Sequence, residues 1–175
     1  PALEQLQRKI HTAEALASVV KTMKALAAVN VRHFEVMVEA LTEYNRTIEL
    51  GLQVVLRDRP PTAPREHDGH SGRLGVIIIG SDQGMCGPFS KRVVAHAVEV
   101  LGRMPYARRE ISIIALGARA VGALEELDYA VDEYLAVPAS VDRVEAVVDD
   151  IFRSIDAWEL QPGTDDIIMF HNAPD

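Results

Sequence analysis

The residues best placed for chemistry lie together in a glycine-rich stretch, Gly80-Ser81-Asp82-Gln83-Gly84-Met85-Cys86-Gly87-Pro88-Phe89-Ser90. It follows an apolar run and leads into an amphipathic segment with Pro88 near its first turn, so backbone N–H groups at a helix start could receive an anion. The dinucleotide fingerprint needs G-x-G-x-x-G and the phosphate loop needs G-x-x-x-x-G-K-[ST]. Neither spacing is present, and Lys91 follows Ser90 too late for the second. Cys86 at a helix start could be an activated thiolate. No histidine is tied to it by spacing, because His96 falls inside the following helix and His171 in the last strand. The expected role of Ser81, Asp82, Gly84, Cys86 and Gly87 is therefore a structural turn. In it Gly84 and Gly87 give backbone freedom, Cys86 packs as a small apolar residue, and Asp82 forms a turn or caps a helix. His67 and His70 bracket Asp68 and Gly69 but lack the wider ligand set a metal needs. No catalytic residue, cofactor or metal is expected.

The elements that would position this turn follow from periodicity. Leu74–Ile79 reads as a buried strand, Pro88–Leu101 as a helix, Ile111–Leu116 as a strand and Ala118–Leu127 as a helix. Tyr129–Val137 reads as a further strand, Val141–Ala157 as a helix and Ile167–Phe170 as a last strand. This alternation predicts an α/β domain over residues 73–175, a Rossmann-like, open and mostly parallel sheet with right-handed crossovers. Ahead of it, residues 58–72 carry Pro60, Pro61, Pro64, Gly69 and Gly72 and read as a linker.

Residues 1–57 are different in kind. Apart from Gly51 they contain no glycine, and no proline after Pro1. Apolar residues recur at alternating steps of four and three from Leu6 through Ile10, Ala13, Ala17 and Val20 to Val55, a 3.5-residue repeat broken only by Lys24 and Asn45. One long coiled-coil helix of about 80 Å is predicted. The alanines permit close approach of a partner helix, and periodicity alone leaves open whether that partner is another protein or a copy of the same helix.

Charge narrows the partners. Residues 1–57 hold seven Lys/Arg against six Asp/Glu, while residues 58–175 hold eleven against twenty. An acidic domain repels phosphate backbones, and no dense basic run favours a membrane surface. One cysteine excludes an intramolecular disulfide and suits a reducing compartment. No apolar stretch approaches the roughly 20 residues that span a bilayer, so membrane association is expected to be indirect.

Two motifs now carry a resemblance. Val19-Val20-Lys21-Thr22-Met23-Lys24-Ala25-Leu26-Ala27-Ala28 is similar to the N-terminal stretch of the γ subunit of F-type ATP synthases and ATPases, and Ile79–Phe89 resembles that family's S-D-R-G-L-C-G-x-F strand end. Val19–Ala28 and Tyr44–Leu52 resemble in particular the alternate branch associated with sodium-pumping ATPases. The resemblance implies a non-catalytic central-stalk rotor, coupling ATP synthesis or hydrolysis in a ring of α and β subunits to ion translocation. Its further partners would be the ε subunit and the membrane c-ring, with peripheral placement at the cytoplasmic face of the inner membrane. It also implies that Lys21, Met23, Lys24 and Arg32 meet the acidic loop of the β subunit. The family's second long helix does not follow before Asp175, which leads to the expectation of a fragment, a truncated form or a degenerate homologue. Such a chain could self-associate through its exposed helix. The alternative reading is a small-ligand or nucleotide-binding α/β module using the Ser81–Gly87 loop.

Overall fold

The computed structural model describes residues 2–57, 72–160 and 164–173. The chain divides into two compact units, Pro1–Thr62 and Ala63–Asp175. The expected linker over residues 58–72, with His67 and His70, lies outside the described residues save for Gly72.

The first unit is the helix α1, Ala2–Leu56. Its polar β-branched residues fit the helix by returning their hydroxyls to the backbone: Thr12, Thr22, Thr42 and Thr47 each donate to the carbonyl four residues back, at 2.8–3.1 Å. The 3.5-residue row stands exposed along the helix, with Leu6 at 55%, Ile10 at 50% and Leu52 at 51%.

The second unit is a three-layer α/β fold. Its strands are β1 (Arg73–Ile79), β2 (Ile111–Leu116), β3 (Glu133–Leu135) and β4 (Thr164–Phe170), all parallel and ordered β3-β2-β1-β4. Its helices are α2 (Phe89–Leu101), α3 (Ala118–Glu125) and α4 (Val144–Glu159), the last preceded by a 3-10 turn at Val141–Arg143. Leu74–Ile78 and all of β2 are buried, the unbroken apolar runs expected of central strands covered on both faces. On one face Leu74, Val76 and Ile78 pack with Val93, Val94 and Ala97 of α2 and Ala120 and Leu124 of α3. On the other, Ile77, Ile114 and Leu135 pack with Trp158, Val147 and Ile151 of α4. Gly75 makes that second contact close, since a Cβ there would stand 2.6 Å from the Trp158 ring.

The strand expected over Tyr129–Val137 shrinks to Glu133–Leu135, and two carboxylates explain where it stops. Before it, the Asp132 carboxylate accepts the Ile113 N–H at 2.7 Å, taking a ladder donor of β2. After it, the Val137 N–H donates to the Asp82 carboxylate at 2.8 Å rather than to a strand. Side-chain acceptors have replaced main-chain ones at both ends.

Candidate functional site

The turn sits at the carboxyl end of β1, where open parallel sheets hold ligands. Ser81 opens it: its N–H donates to Ser90 Oγ at 3.0 Å and the two hydroxyls lie 2.8 Å apart, so the buried Ser90 on the first turn of α2 is satisfied from the loop. The Ser81 carbonyl accepts the Arg119 N–H at 2.9 Å. Gly84–Cys86 forms a 3-10 turn that delivers the chain to Pro88 at the start of α2.

Asp82 is the hub of the site. Its Oδ1 accepts the Ala118 N–H at 2.8 Å and the Tyr134 hydroxyl at 3.0 Å, and its Oδ2 accepts the Val137 N–H. One carboxylate thus ties the end of β1 to the first turn of α3 and to the chain leaving β3. The N-terminal flank of α3 is Gly117, which has no side chain to cap the helix, so Asp82 supplies the missing acceptor from 36 residues away. Partial burial pushes the Asp82 carboxyl up; the bonds from Ala118, Val137 and Tyr134 together outweigh it and hold the group below its ordinary 3.8. The same hydrogen bond, then desolvation and the charge of Asp82, raise the Tyr134 phenol above 10.0. A carboxylate stabilised as an anion by three donors is a poor proton acceptor, which fits a strut rather than a general base.

Two expectations about the turn need correction. Cys86 is exposed rather than packed among apolar side chains. Gly84 is not required for backbone freedom, because it does not have positive φ; a Cβ there would lie 2.5 Å from the Arg119 guanidinium, the far end of an exposed, flexible side chain that can move aside. Gly87 does take positive φ, at 66°, with open space around it. Because the thiol touches no core, Cys86→Ser should change unfolding free energy by less than about 0.5 kcal/mol. A thiol reagent should also modify Cys86 in the folded chain at nearly the rate seen in denaturant; protection from the reagent would contradict the exposed placement.

The cavity beside the turn holds about 150 Å³ and is lined by Ser81, Gln83, Gly84, Gly87, Pro88, Ser90, Lys91 and Arg119. Small-molecule sites commonly hold about 300–1,000 Å³, so this one is undersized for a nucleotide. Lys91, exposed, is paired with Glu126 at 3.3 Å. Spacing alone overlooked Tyr134 and Arg119, and the uncapped Gly117-Ala118 start of α3 was the signal that a remote acceptor was needed.

On α1, Lys21 and Lys24 are exposed and Met23 is 36% exposed. Arg32 is committed within the helix to Glu35 at 3.2 Å. Lys21 and Lys24 are one turn apart, so they share a face with the row that carries Lys24.

A family model described as ATP synthase matches residues 2–174. Among curated proteins, the chain is similar to the ATP synthase gamma chain of Salinispora tropica, 27% identical over 120 residues, 66% of this chain and 38% of that protein. It is 27% identical to the ATP synthase gamma chain of Pelotomaculum thermopropionicum over 124 residues, 68% of this chain and 41% of the relative. With the ATP synthase gamma chain of Sinorhizobium medicae the identity is 23% over 123 residues, 68% and 42% of the two chains. The chain therefore spans about two-fifths of the length of the curated relatives it matches.

Proposed function

We propose that this chain, which belongs to the ATP synthase gamma-chain family, forms the shaft helix and foot domain of a central-stalk rotor. In this reading α1 turns inside a ring of α and β subunits, and the α/β unit is the foot that meets the ε subunit and the membrane c-ring. The chain contributes contacts rather than catalysis. It couples ATP synthesis or hydrolysis in the ring to ion translocation from a peripheral position on the cytoplasmic face of the membrane. Among the described residues no helix is long and apolar enough to cross a membrane, which accords with attachment through partners. The observation that carries the reading is one family match running through both α1 and the α/β unit.

The proposed working face on α1 is Lys21, Met23, Lys24 and Arg32, set against the acidic loop of the β subunit. Met23 is exposed and flexible, a side chain that tolerates sliding contact. Met23→Lys adds a cation where acidic side chains pass and should stabilise one rotational state over the others. The test rebuilds the complex with the full-length protein carrying this substitution and measures ions pumped per ATP hydrolysed. A fall of twofold or more in that ratio, with hydrolysis less affected, is expected; an unchanged ratio would overturn the assignment of this face.

A further inference from the structure

We draw no further inference here: the strongest candidate, the surface patch on α4 where the exposed Val148 and Phe152 stand one turn apart among Glu145, Asp149 and Asp156, carries nothing, because nothing in the structure shows what covers it.

Discussion

Gly117→Ala should lower the unfolding free energy of the α/β unit by at least about 4 kcal/mol, enough to threaten a domain whose total stability is about 5–15 kcal/mol. Two costs combine. Gly117 sits at φ 94°, ψ 127°, a conformation that L side chains rarely adopt and that costs about 1–3 kcal/mol when forced. The new Cβ would also stand 2.6–2.7 Å from the backbone of Ser81, and backbone cannot rotate aside as a side chain can. Ser81 is itself fixed, through its N–H on Ser90 and its carbonyl on Arg119. Gly122 in the same helix supplies the control: a Cβ there meets nothing within 4 Å, so Gly122→Ala should be neutral or stabilise by up to about 1 kcal/mol. Urea unfolding followed by Trp158 fluorescence reads this unit alone, because Trp158 is the only tryptophan of the chain and lies buried against the sheet. Equal stabilities for the two alanine variants would refute the steric account of the turn.

How far these features could be read beforehand depends on what made each element. β1 and β2 are unbroken apolar runs and α1 has a sustained repeat, so their residues announce them regardless of surroundings. β4, by contrast, begins with Thr164, Asp165 and Asp166, which do not look like strand; pairing along β1 extends it back from the apolar Ile167–Phe170. β3 errs in the opposite direction, as the strand-like Tyr129–Val137 is cut short by the carboxylates of Asp132 and Asp82. The glycine-rich turn was visible as a turn, whereas its purpose was not. Gly117 matters through the Ser81 backbone that stands next to it, and the Asp82 network joins residues 36, 52 and 55 positions apart. No local pattern encodes such separations. The exposure of Cys86 was misread for a related reason: cysteine is commonly buried, but here the 3-10 turn presents it outward.

Asp82→Ala is the second large effect expected, a loss of about 3 kcal/mol from the α/β unit. It leaves the Ala118 and Val137 N–H groups without their acceptor, and charge-assisted bonds of this kind contribute about 1.5–3 kcal/mol each before water compensates. Asp82→Asn keeps the shape but removes the charge and should cost roughly half as much. The pH dependence separates charge from shape. Because the folded carboxyl titrates below the unfolded value of 3.8, its contribution is fully present above that value and is lost as pH falls through the lower, folded one. The stability gap between the native chain and Asp82→Asn should therefore be constant from about pH 5 to 8 and close progressively below pH 4. Tyr134 gives an independent reading at the other end of the scale. Its phenol is held above 10.0 first by the hydrogen bond to Asp82, then by desolvation and the carboxylate charge, so the neutral phenol is favoured until pH rises past the raised value. In Asp82→Asn the phenolate should appear at lower pH than in the native chain, seen by ultraviolet difference titration. If the Tyr134 titration stays where it was while stability falls, the carboxylate does not hold that hydroxyl in solution and Asp82 acts on the backbone donors alone.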